Sequence, residues 1–96
     1  MNSSVDDIIR AVVDALEQRA SARGETVRAL GSVRDLVAND EAEIAVDYLI
    51  NTVNSFRLAL RQDEYDRLMS AAVRLDYADC VTDIDPGLLV PASDDV

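Results

Sequence analysis

Nineteen of the 96 residues are Asp or Glu, so the carboxylate is the one reactive group this chain holds in quantity. A pair of carboxylates can supply the acid and base of glycoside hydrolysis when a cleft holds them and burial raises one of the two. Here the acids recur on helix faces that periodicity marks as solvent-facing, Asp6, Asp14 and Glu17 among them, and they read as solvated faces or partner contacts. The run Asp83-Ile84-Asp85-Pro86-Gly87 has the first two ligand spacings of a calcium loop, and Asp94 stands at the closing position. Leu88 then occupies the place where that loop turns sharply on a Gly, and Pro86 stiffens the preceding step. A Pro-Gly turn with solvated aspartates accounts for the run better.

Other chemistry is thin. There is no His, which removes the usual general base, the usual activator of a nucleophile and the commonest metal ligand together. Cys80 is the single cysteine, so one chain can form neither an internal disulfide nor a cysteine-rich zinc site; a small buried apolar role is expected for it. No cofactor or metal is called for, and the expectation is a binding protein without catalysis of its own. The net charge of −10 disfavours nucleic acid, whose every phosphate contact needs a cation. It favours a basic protein partner, because complementary charge speeds encounter and rejects like-charged competitors. The N-terminal Met1–Arg10 stretch lacks the positive segment of a secretory signal and no apolar run reaches membrane-spanning length, so a cytoplasmic protein without membrane contact is expected.

The elements that must position these residues are helices. Val5, Ile8, Ile9, Val12, Val13, Leu16 and Ala20 recur at helical spacing, with Ser4 placed to cap the first turn and Gly24 to end the pattern. A second amphipathic helix is expected over Glu25 to Val37, with Gly31 as a point where it could bend. A third follows Asn39 and Asp40, with Asp40 and Glu43 spaced to cap it reciprocally. The alternation Phe56, Leu58, Leu60 suits a short extended segment. A fourth helix carries Tyr65, Leu68, Met69, Ala72 and Val73, with Asp63 and Glu64 in its first turn. Val81, Ile84, Leu88 and Leu89 then anchor a C-terminal strap, and residues 91–96 are expected to fray. The fold class is all-α: a small four-helix bundle with a short C-terminal strap, as a single helical domain over residues 1–90.

The third helix is apolar nearly all round. Glu43, Asp47, Ile50, Asn51 and Asn54 share one sector of about a third of the circumference, at ~100° per residue. Ile44 and Tyr48 fall in the apolar remainder, and Tyr48 and Tyr65 are expected in the core, with Tyr77 the tyrosine placed for exposure. The candidate partner surface is therefore Glu43, Asp47, Asn51 and Asn54 around Ile50 as the apolar anchor, extended by Asp40 and Glu41. The competing reading of Ile50 is that Phe56 or the strap covers it. An exposed Ile50 would serve a two-fold contact, and hence a homodimer, as readily as a foreign partner.

Between Asp35 and Leu75 the chain resembles the MafI family of small immunity proteins, encoded beside polymorphic toxins. The matching residues are Glu41, Ala45, Val46, Asp47 and Leu49, then Leu60, then Asp63, Glu64 and Tyr65 with Leu68 following. The resemblance covers under half of the chain. It implies a helical protein that binds its cognate bacterial toxin domain, expected to be basic, and neutralises it. The alternative reading is an acidic helical protein-binding adaptor or secretion chaperone. A slighter likeness is to acyl and peptidyl carrier proteins, through Ser55 before Phe56, but the Asp of their D-S-L motif is missing and Ser55 ends a helix where theirs begins one.

Overall fold

The computed structural model describes residues 4–90; the expected fraying of residues 91–96, and Asp94 as a closing ligand, lie outside these. Helix α1 spans Val5–Ala22, and Ser4 caps it by accepting the Asp7 amide at 3.1 Å. Its apolar stripe, Ile8, Ile9, Val12, Val13, Leu16 and Ala20, is buried as its spacing predicts. Gly24, at φ 76°, closes the helix in a left-handed turn in which the Glu25 amide returns to the Ala20 carbonyl at 2.8 Å.

Helix α2 covers Arg28–Ala38, three residues later than the periodicity predicts at its start. The reason is Val27, which is extended (φ −111°, ψ 97°) and buried, so the chain spends Val27 on the core before it winds up. Gly31 lies within an unbroken helix.

The turn into helix α3, Ala42–Phe56, corrects the expected cap. Asp40 does not cap α3. It sits at φ 62° as the left-handed residue that ends α2, with the Glu41 amide on the Leu36 carbonyl (2.9 Å) and its own amide on Val37 (3.1 Å). No side chain caps α3, so the spacing of Asp40 and Glu43 does not make a capping box here. Asp76, at φ 62°, ends the helix Gln62–Arg74 in the same way, with the Tyr77 amide on the Ala72 carbonyl at 2.7 Å.

Strand β1 is Leu60–Arg61, shorter than the segment the alternation predicts from Phe56, because Phe56 still belongs to α3 and Arg57, at φ 54°, closes that helix in the left-handed region. Helix α4, Gln62–Arg74, follows at once, and the strap comprises a short helix α5, Ala78–Val81, a 3₁₀ turn at Pro86–Leu88 and strand β2, Leu89–Val90. The strands pair in parallel, Leu60 with Leu89 and Arg61 with Val90, which pins the end of the strap beside the start of α4. Val81, Ile84 and Leu88 are buried and join one core with residues from all four long helices. The molecule is thus an all-α bundle of four longer helices with a packed strap. No helix among the described residues is long and apolar enough to cross a membrane.

Glu64 holds two elements together. Its carboxylate accepts from both terminal nitrogens of the Arg19 guanidinium (2.6 and 2.8 Å) and from the Arg61 amide at the start of α4 (2.9 Å), while Arg19 also donates to the Ala59 carbonyl at 3.1 Å. A buried carboxylate is tolerable only when it is satisfied to this degree.

Candidate docking face on the second and third helices

The strip expected to form the partner surface is divided by the fold. Ile50 is not an exposed anchor: it is 3% exposed and belongs to the core cluster that contains the strap residues Val81, Ile84 and Leu88. Asn54 is committed to the strap as well. Its Nδ2 donates to the Asp83 carbonyl at 3.0 Å, and its Oδ1 accepts the Asp85 amide at 2.9 Å. The Asp83–Gly87 segment is a turn fastened from inside. Asp85 accepts the Gly87 amide (2.9 Å) and the Arg57 guanidinium (2.8 Å), and these, with the amide leading, hold its carboxyl below the usual aspartate range. Among the described residues no group of three or more His, Cys, Asp or Glu is placed to hold a metal ion.

What remains exposed of the strip is Asp40, Glu41, Glu43, Asp47 and Asn51. They border a different apolar surface. Ile44 and Tyr48, one turn apart on α3, are 51% and 41% exposed, and Phe56 at the end of the helix is 55% exposed. The reading that put Ile44 and Tyr48 in the core is corrected: the strap covers the Ile50 side of α3, and nothing in the chain's described residues covers the Ile44 side. Tyr65 is half-buried against the core, and Tyr77 is exposed as expected, at 38%.

Alongside Ile44 and Tyr48, the α2–α3 pair forms a groove of two hollows that meet at Tyr48. One, of about 350 Å³, is lined by Ser32, Asp35, Leu36 and Asn39 of α2 with Ile44 and Tyr48. The other, of about 240 Å³, lies between Ala29 of α2 and Tyr48, Asn51, Ser55 and Phe56 of α3. The small α2 residues Ala29 and Ser32 line one hollow each, and Tyr48 of α3 lines both. Ser55, in the last turn of α3, looks into the second hollow.

The electrostatics of this side are one-sided. Asp35, Asp40, Glu41, Glu43 and Asp47 form no ion pair among the described residues, and neither do Asp6, Asp66, Asp76, Asp79 and Asp83 elsewhere, whereas Asp7, Asp14, Glu17, Glu25, Asp63, Glu64 and Asp85 each have an arginine. The acidic field extends onto the strap. Cys80 is half-buried, 3.8 Å from an Asp47 carboxylate oxygen, which places it at the rim of the core in place of the buried apolar role expected for it. Burial first, then the charge and hydrogen bond of Asp47 with the charges of Asp83 and Asp79, push its thiol above the usual cysteine range. Asp79 and Asp83 therefore belong to the same acidic surface as Asp47. Their position was not readable from helical spacing, because it depends on where α5 docks.

Comparison of the chain with protein-family models, with characterised proteins and with solved structures returned no match.

Proposed function

We propose that this chain is an immunity protein, which binds the cognate domain of a bacterial polymorphic toxin and neutralises it by covering a basic surface on that domain. The observation that carries the reading is the exposed row of Ile44 and Tyr48 set among carboxylates that have no arginine of their own. An aromatic and an aliphatic side chain, open to solvent with Asp35 in the same hollow and Glu43 and Asp47 next to them on α3, suit an interface core with its polar rim. A toxin acting on nucleic acid or nucleotides presents cations to its substrate, and the acids around Tyr48 are suited to meet them. The resemblance of residues 35–75 to MafI immunity proteins points the same way, and no step of catalysis is required of the chain.

The test is co-expression of this protein with the C-terminal domain of the protein encoded immediately upstream, scoring survival and co-purification. Survival together with a stable complex is the expected outcome. Toxicity without rescue overturns the reading and favours the adaptor alternative, in which the same surface serves a partner that is not an enzyme.

A further inference from the structure

We propose that the α2–α3 groove takes a basic amphipathic α-helix of the partner, seated by two apolar side chains that enter the hollows on either side of Tyr48. The proposal rests on the docking reading and makes it specific about the partner's shape.

The spacing of the hollows selects a helix. The α3 residues lining the first hollow, Ile44 and Tyr48, centre near position 46, and those lining the second centre near position 52. At ~1.5 Å per residue the two centres lie roughly 10 Å apart along α3. Side chains at i and i+7 of a helix share a face and stand ~10.5 Å apart. Same-face residues of a strand stand at ~6.6 or ~13 Å, which fits neither hollow once the other is filled. Both hollows, of about 350 and 240 Å³, are open to solvent along the helix pair, so an apolar side chain can enter each from outside.

Charge selects the other face of that helix. Asp35 lines the first hollow, Asp47 flanks Tyr48 on α3, and Asp40 and Glu41 close the end where α2 turns into α3, all without arginine partners among the described residues. A helix lying in the groove brings the edges of its polar face against these acids, so Arg or Lys is favoured there. A second copy of this chain would instead oppose one acidic rim with another, in a molecule of net charge −10.

The experiment uses two synthetic 14-residue peptides with the same Leu face at i, i+3, i+4 and i+7, one with Arg on its polar face and one with Glu. Each is titrated into the isotope-labelled full chain and followed by amide chemical shifts. The expected result is that the Arg peptide becomes helical and shifts amides of residues 29–56 on the groove side, binding at least ten-fold more tightly than the Glu peptide. Ile44→Ser with Tyr48→Ser, both at exposed positions, should weaken it at least ten-fold while leaving the spectrum of the remaining core unchanged. Absence of binding, equal binding of the two peptides, or shifts centred on Asp79 and Asp83 overturns the proposal. No toxin domain is present in this experiment, so it separates the two ideas: rescue in co-expression with no peptide in the groove leaves the immunity reading standing and removes the helix.

Discussion

On the side where α1 meets α2 and α4, arginines and carboxylates find one another; on the open side of α2 and α3 they do not. Arg19 clamps Glu64, and Arg34 bridges Asp14 and Glu17, in each case between one helix and the next. Across the groove, Asp35, Asp40, Glu41, Glu43 and Asp47 stand without arginines among the described residues, and Ile44 and Tyr48 stand without apolar cover. In the first region these charges are neutralised across helix contacts, around a buried apolar stripe on α1. The second carries both kinds of surface that a partner could complete. The same residue types are therefore paired within the chain on one side and left open to solvent on the other.

Substitutions can break this contrast. The largest effect is expected from Ile50→Ala, which should cost about 2–4 kcal/mol in urea denaturation because it leaves a cavity under the strap. Ile44→Ala, six residues earlier on the same helix, should change stability by no more than about 0.5 kcal/mol and yet weaken partner binding at least ten-fold. If the two variants exchange these outcomes, the assignment of the sides of α3 is wrong.

Glu64→Ala should cost about 3 kcal/mol by the same measurement, since it removes the mate of Arg19 and the acceptor for the Arg61 amide, and should leave partner affinity unchanged. Arg34→Ala removes a more exposed pair of contacts, and a loss of about 0.5–1 kcal/mol is expected.

Two smaller effects concern protons. The Cys80 thiol should be alkylated more slowly at neutral pH than free cysteine, because its raised pKa keeps it protonated, and Asp47→Asn should speed the reaction by removing the largest contribution after burial. Unchanged alkylation rates in that variant would show that Asp47 does not reach the thiol in solution. Asp85 has a depressed folded pKa, so its share of stability is complete above the ordinary aspartate value of about 4 and is lost as pH falls through the lower folded value. The Gly87 amide resonance should therefore move only at the acid end of a pH series, and Arg57→Ala should shift that movement to higher pH.

How much of this was readable in advance differs by level. The α1 stripe and its Ser4 cap, the extended segment at Leu60 and the strap anchors Val81, Ile84 and Leu88 all follow from periodicity and local chemistry, which are properties of neighbouring residues. The Asp40–Glu43 cap failed because the α2 terminus claimed Asp40 first: a left-handed residue that closes one helix is not free to open the next. Glu64 looked like a first-turn acid favoured by the helix dipole, and only its proximity to Arg19, forty-five positions away, made it a buried clamp.

The sequence by itself determined that α3 would be apolar nearly all round, and that the chain would be an acidic helical bundle. Which side of α3 stayed open was decided by tertiary structure alone. A helix with apolar residues on every side can bury several of them equally well, and hydrophobic burial has no direction of its own. The strap settled the matter by docking Val81, Ile84 and Leu88 into the core with Ile50, with Asn54 holding the backbone of Asp83 and Asp85, and this left Ile44 and Tyr48 facing solvent among the acids.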